Sequence, residues 1–421
     1  MSHSRIVPTR QRLSQVRYEI RGELARRARD LEAAGRKLIK LNIGNPGAFG
    51  FRAPQHLQDA IVEHIGESDP YCHQQGLPQL RETIAAQHVA NGARGTSAAS
   101  VFMGNGVSEL IDMALRALLN PGDEVLLPSP DYPLWSAATI LNDGVPVYYD
   151  CNPERNFQPD PEQIERLITP RTRALVLINP NNPSGAMYPK ETLQALVDIA
   201  ERHRLVLMCD EIYDLIVYEG AQFIPLASLS GDVPCLSFGG LSKVHRACGY
   251  CVGWAVLSGD PIRSGDFHHA LDLLGALRLC ANVPGQWAAL AALTGPNTID
   301  ELTSPGGRLF EARRAVIEAC NASQRLSVLA PQGALYAFPG IDTTDLPDFD
   351  DHQFALDLLD NEGVLVVPGT SFNVKYRNHF RVTLLPQPEQ IREVFARIER
   401  ALGRWEASGS AQAPVRHVAT M

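Results

Sequence analysis

The stretch Ser237-Phe238-Gly239-Gly240-Leu241-Ser242-Lys243-Val244-His245-Arg246-Ala247-Cys248-Gly249-Tyr250-Cys251-Val252-Gly253-Trp254 decides how this chain is read. Lys243 follows an apolar, strand-like run and is flanked by small, turn-forming residues. A lysine so placed can reach a bound aldehyde and form a Schiff base. Around it, short apolar runs at 125–127, 145–149, 174–178, 205–209, 235–238 and 254–257 alternate with helical patterns. Strands alternating with helices predict an α/β fold built on a mostly parallel sheet covered by helices. Turns rich in Gly, Pro and Asn follow several of these strands, where open α/β sheets place their ligands.

The flanking regions have a different rhythm. The spacing of Val16, Ile20, Leu24 and Leu31 predicts a helix over 13–34, with Gly35 as its stop. A short strand at 40–44 and helices at 54–64 and 77–89 follow. From residue 302 a long helix through 308–317 leads into short strands at 335–338, 364–367 and 380–384, the pattern of a smaller α+β domain. The expected division is an N-terminal helix and small-domain segment over 1–55, a large domain over 56–301, a C-terminal small domain over 302–405, and a poorly ordered tail over 406–421, which is rich in Ala, Ser and Gly.

Composition narrows the partners. A chain of 421 residues supports two domains and a sizeable core. Its net charge of -9 argues against nucleic acid and anionic membrane as partners. No apolar run is long enough to span a bilayer, and the N-terminal residues lack the apolar core of a signal peptide, so a cytoplasmic location is expected. The eight cysteines are scattered, mostly among apolar or small residues that suit buried, reduced thiols. Cys248 and Cys251 form a lone C-x-x-C; without a second ligand pair or a thioredoxin-like context it predicts neither a metal site nor a redox motif.

Several segments carry chemistry. Asp210 ends an apolar strand, where a carboxylate needs a partner; a protonated pyridine nitrogen is one, a helix cap or ion pair another. Asn179-Pro180-Asn181-Asn182-Pro183-Ser184-Gly185 is a rigid turn from which Asn182 can point its amide at a ligand oxygen. Gly104-Asn105-Gly106-Val107-Ser108 lies between a strand and a helix and can present backbone N–H groups to an anion, without matching a dinucleotide or P-loop spacing. Tyr132 can stack on a flat ring or pack in the core. Arg381, within an apolar strand, suits a bidentate carboxylate or a structural salt bridge.

The order of these features — glycine turn, aromatic, Asn-Pro turn, strand-end Asp, Lys, distal Arg — resembles the fold type I, class I/II aminotransferases that use pyridoxal 5'-phosphate (PLP). The resemblance runs from about Tyr18 to Leu402. It is nearest to bacterial glutamate–pyruvate (alanine) aminotransferases, through Tyr18-Glu19-Ile20-Arg21-Gly22, Leu41-Asn42-Ile43-Gly44-Asn45-Pro46, Asp131-Tyr132-Pro133-Leu134-Trp135 and Arg278-Leu279-Cys280-Ala281-Asn282-Val283-Pro284. It implies a seven-stranded type of sheet in the large domain, with the N- and C-terminal segments joining in the small one. It implies PLP as cofactor, with Lys243, Tyr132 and Asp210 as the catalytic set: Lys243 as Schiff-base lysine and proton carrier, Asp210 at the pyridine nitrogen, Tyr132 stacked on the ring. Tyr213 and Asn182 would bond the phenolic oxygen. Asn105, Gly106 and Val107 would present backbone donors to the phosphate, joined by Tyr71 from a second subunit of a homodimer with shared sites, and Ser242 would also bind the cofactor. Arg381 would clamp the substrate carboxylate, helped by Asn182 and the backbone of Gly44, beneath a lid carrying Tyr18 and Arg21. The implied substrates are an amino acid and a 2-oxo acid.

One position departs from the family pattern Ser-Lys-x-x-x-x-x-Gly-x-Arg-x-Gly-Trp: Cys251 stands where the phosphate-binding arginine belongs. A cysteine cannot give a phosphate a bidentate, charge-assisted pair. Hydrogen bonds to charged groups contribute about 1.5–3 kcal/mol, so the loss costs about one to two decades of cofactor affinity unless it is compensated. Three readings follow: an ordinary aminotransferase with Arg246 or His245 compensating; a remodelled site for γ-elimination, γ-replacement or cyclisation, with an S-adenosylmethionine-like substrate; or a PLP-binding protein without catalysis.

Overall fold

The computed structural model describes residues 7–17, 22–346 and 348–411. After a short strand at Ile39–Lys40 (β1), the chain lays down seven longer ones: Val101–Gly104 (β2), Glu124–Ser129 (β3), Val145–Asp150 (β4), Thr172–Ile178 (β5), Val206–Asp210 (β6), Cys235–Gly240 (β7) and Gly253–Ser258 (β8). These seven form one sheet in the order β2-β8-β7-β6-β5-β3-β4. The pairs β3·β4, β3·β5, β5·β6 and β6·β7 are parallel. β8 runs antiparallel to both neighbours. The sheet is therefore mostly parallel, with one reversed strand. The motif-bearing turns after β2, β3, β5, β6 and β7 consequently open at the same edge.

The strand sequences explain why both faces are covered. In β5, Ala174, Val176 and Ile178 pack into one core with Ile111, Leu115 and Trp135. The alternate residues Leu175 and Leu177 pack into the other with Leu193, Leu196 and Leu207. A strand buried on both faces reads as an unbroken apolar run, because successive side chains alternate sides. The helix Lys190–His203 covers one face through Leu193, Leu196, Val197 and Ala200, at helical spacing. The helix Val107–Leu118 covers the other through Leu110, Ile111, Ala114 and Leu115.

A third core joins the two ends of the chain. Leu24, Ala28 and Leu31 pack with Phe354, Leu358, Val394 and Ile398, and β1 pairs in parallel with Val364–Leu365. Strand Phe380–Thr383, which carries Arg381, lies between Tyr336–Ala337 and Val367–Pro368.

Two expectations need correction. The helix expected over 13–34 is a short 3-10 turn at Gln11–Gln15 and a helix at Glu23–Ala33. Gly22 caps the latter, and its apolar stripe begins only at Leu24. The last helix, Pro388–Ala411, continues past Trp405, where the end of the small domain was expected; the remainder of that tail lies outside the described residues. No helix among the described residues is long and apolar enough to cross a membrane.

Candidate active site

The edge shared by the turns holds a cavity of about 400 Å³. Gly44, Asn105, Gly106, Val107, Tyr132, Asn182, Asp210, Tyr213, Ser242, Lys243 and Arg381 line it. Topology gathers them: the strand ends at Gly104, Ser129, Ile178, Asp210 and Gly240 deliver five turns to one place, and β1 and strand Phe380–Thr383 bring the small-domain residues from the other side. Tyr71 is not among the lining residues; its side chain is 77% exposed. Tyr18 and Arg21 lie outside the described residues.

Asp210 is buried at the end of β6. Its carboxylate accepts long hydrogen bonds from the Ile212 N–H, 3.3 Å, and from Trp135 Nε1, 3.5 Å. Burial pushes its pKa up to about 6, opposed by those donors and by the charge of Lys243. A buried carboxylate held so loosely, facing a cavity, fits a cationic ring nitrogen. Lys243 Nζ donates to the Gly44 carbonyl at 2.8 Å across the cavity. Gly44 needs its missing side chain here, because a Cβ would collide with the Tyr336 hydroxyl.

Arg381 is almost completely buried. Its Nη1 donates to Asn182 Oδ1 at 2.9 Å and its Nη2 to the Asn42 carbonyl, while Nε has no partner. The guanidinium lies 4.4 Å from the Tyr336 ring centroid and 4.9 Å from that of Phe372. The Tyr213 hydroxyl donates to that of Tyr336 at 3.2 Å, and burial first, then Tyr336, raises the Tyr213 pKa well above its usual value. Tyr336, Asn42 and Ile43 are lining residues that reading the sequence passed over. The signal for Tyr336 was a tyrosine inside an apolar strand, whose hydroxyl must find a polar partner.

The turn expected to bind an anion differs in detail from expectation. Gly106, at φ 90°, turns the chain into the helix Val107–Leu118, a backbone conformation that favours glycine. The first N–H groups of that helix have no internal partners. The Asn105 N–H, however, is taken by Glu109 Oε2 at 2.7 Å, so Gly106 and Val107 are the expected donors left for an anion. Glu109 in turn pairs with Arg278 at 2.6 Å. β8 presses against this turn at Gly253, where a Cβ would meet the Val107 nitrogen at 2.6 Å.

Neither expected substitute for the missing arginine faces the cavity. Arg246 binds the carbonyls of Arg52 and Val244 and the hydroxyl of Thr298. His245 lines a different cavity, and burial lowers its pKa to about 4. What lines the active-site cavity beside Ser242 is a pair of thiols, Cys248 and Cys251. The cationic side chains lining it, among the described residues, are Lys243 and Arg381.

The family description "Aminotransferase class I and II" matches residues 36–398. The chain is 43% identical over 391 residues to the glutamate-pyruvate aminotransferase AlaA of Escherichia coli K12, covering 93% of this chain and 96% of that protein. It is 45% identical over 390 residues to the alanine aminotransferase of Mycobacterium tuberculosis H37Rv, covering 92% and 90%. Among solved structures, an aminotransferase from Escherichia coli superposes with a TM-score of 0.92 at 42% identity, over 94% of this chain and 98% of that one. An alanine aminotransferase from Pyrococcus furiosus gives 0.89 at 37% identity, over 94% and 100%.

Proposed function

The chain belongs to the class I and II aminotransferases, and from that premise we propose that it exchanges the amino group of alanine or glutamate with the corresponding 2-oxo acid. It is a PLP-dependent transferase of fold type I. When bound, PLP supplies an aldehyde for covalent attachment and a ring that withdraws electrons from the substrate's α-carbon. All else falls to the side chains.

Lys243 would be the attachment point for the aldehyde and the amine that holds or moves the proton at the substrate's α-carbon. Its amine already sits on the Gly44 carbonyl at 2.8 Å, beside the small-domain wall of the cavity. Asp210 would hold a protonated ring nitrogen, and such a cation would offset the burial that raises the pKa of the carboxyl. Tyr132, Tyr213 and Asn182 line the same cavity; Tyr132 would pack on the ring face, and Tyr213 with Asn182 would hold the phenolic oxygen. Gly106, Val107 and Ser242 would hold the phosphate, and Asn105 shapes that turn through Glu109.

The observation that carries the reading is Arg381. It is buried, lies close to two aromatic rings, is bonded to Asn182, and shares one cavity with Lys243. A buried guanidinium with a free N–H suits the planar carboxylate that every α-amino acid carries. γ-Elimination, γ-replacement, cyclisation and a non-catalytic role are not favoured: the relatives at this identity are aminotransferases, and the lysine, aspartate and arginine are all present in one cavity.

The test is a product screen. Alanine with 2-oxoglutarate should give pyruvate and glutamate, and Lys243→Ala should abolish both the visible absorbance of attached cofactor and the turnover. A wild-type protein that releases a γ-substituent from S-adenosylmethionine and forms no pyruvate from alanine would overturn the proposal.

We also infer a homodimer with shared sites. Its supports are the 77% exposed Tyr71 and, on the helix Gly265–Leu277, the 74% exposed Leu277. The Arg278 that follows this helix donates to the Gln74 carbonyl, tying it to the Tyr71 segment.

A further inference from the structure

The C-x-x-C pair is the one sequence motif that the transamination chemistry leaves unused. Cys248–Tyr250 is a single 3-10 turn, closed by the Cys251 N–H donating to the Cys248 carbonyl at 3.3 Å. Such an i to i+3 turn holds its end Cα atoms within about 7 Å, overlapping the roughly 4.4–6.8 Å span of disulfides. Both thiols line the same cavity. Cys251 Sγ lies 3.7 Å from the Cys248 carbonyl, folded back over its own turn. Cys251 is exposed and Cys248 half-buried, so a small oxidant can reach the first and the second is positioned to resolve. Cys248 Sγ also donates to the Ser242 carbonyl at 3.0 Å, immediately before Lys243.

Resting on the PLP site above, we propose that Cys248 and Cys251 form an oxidisable dithiol at the phosphate end of the cofactor cavity, a modification site whose disulfide form holds PLP less tightly. The oxidant is a low-molecular-weight disulfide such as glutathione disulfide. The Cys251 thiolate attacks one of its sulfurs, expelling one glutathione thiolate and leaving a mixed disulfide. The Cys248 thiolate then attacks the Cys251 sulfur and expels the second glutathione. Two protein thiols are oxidised, one glutathione disulfide is reduced to two thiols, and the two cysteine protons pass to the departing thiolates.

The consequence for the cofactor follows from donors. A thiol can donate a hydrogen bond to a phosphate oxygen and a disulfide cannot. With no arginine at 251, the exposed Cys251 thiol is the side-chain donor that can turn to a phosphate there, since its contact with the Cys248 carbonyl is a weak 3.7 Å and the Cys248 S–H is taken by the Ser242 carbonyl. Oxidation also removes the Cys248 S–H tether to Ser242, loosening the turn that carries Lys243.

The experiment titrates the protein with glutathione disulfide, before and after PLP loading, and maps disulfides by peptide mass spectrometry while following PLP release. A Cys248–Cys251 bond should form in both states, PLP should leave several-fold faster from the oxidised protein, and a reductant should reverse both. Cys248→Ser and Cys251→Ser should each prevent the bond and make PLP release insensitive to the oxidant. A bond mapped instead to any other pair of the eight cysteines, a mixed disulfide that stops at Cys251, or a Cys248–Cys251 bond with unchanged PLP release would each overturn the proposal. Mapping in the unloaded protein does not depend on PLP, so a failure of the cofactor assignment is separately visible.

Discussion

Cys251 stands where the family resemblance calls for a phosphate-binding arginine. The side chains around it do not restore the lost cation: Arg246 is committed to Arg52, Val244 and Thr298, and Arg278 to Glu109 and two carbonyls. Cys251→Arg should therefore slow PLP release by about one to two decades, the value of a charge-assisted phosphate contact of about 1.5–3 kcal/mol. Release followed by absorbance after dilution measures it; unchanged release would mean that the site holds phosphate by another arrangement. The substitution itself was visible in the sequence, because the surrounding pattern of Gly249, Gly253 and Trp254 fixes the register. The fate of Arg246 was not. Three residues from the lysine, it points to a different surface, at φ 56°, since neighbours along a turn diverge in space.

At the scale of elements, the strand ends and the lysine turn serve two cavities at once. Asp210 and Lys243 line the active-site cavity, whereas their neighbours Glu211, Val244 and His245 line another of about 420 Å³, together with His88 and Asp214. Burial lowers both His88 and His245 to about 4, so they stay neutral in the fold. Burial raises Glu211 to about 7 and Asp214 to about 6, in the opposite sense. For a histidine with a lowered folded pKa, the stability contribution is complete above its unfolded value of about 6.5 and is lost as pH falls toward its folded one. His245→Gln should therefore flatten the acid side of the stability profile between pH 6.5 and 4, by on the order of 3 kcal/mol at its foot. Denaturant melts of both proteins across that range check it; parallel profiles would show that the imidazole remains hydrated. The strands themselves were legible as apolar runs, because burial on both faces demands them. The first helix was placed ten residues too early, since the apolar residues Leu13 and Val16 continue its period without entering the core.

For the whole molecule, the remaining prediction is assembly. Tyr71 is too exposed to serve its own cavity, so sedimentation should show a dimer, and dilution below the dissociation constant should remove activity and PLP together. Tyr71→Phe should speed PLP release while leaving the dimer intact; a fully active monomer would rule out sharing. The primary structure alone was enough for the α/β architecture, the cofactor and the lysine, aspartate and arginine of the site. Apolar periodicity and the order of turn motifs are local patterns, and they survive in a linear reading. What needed the folded chain was convergence. Tyr336 meets Gly44 and Arg381 only because the strands of the small domain pair, and Glu109 takes the Asn105 N–H only because a helix begins there. The two cysteines share the cofactor cavity only because a single turn folds them toward it. Distances between residues far apart in the chain are set by packing, which no local pattern encodes.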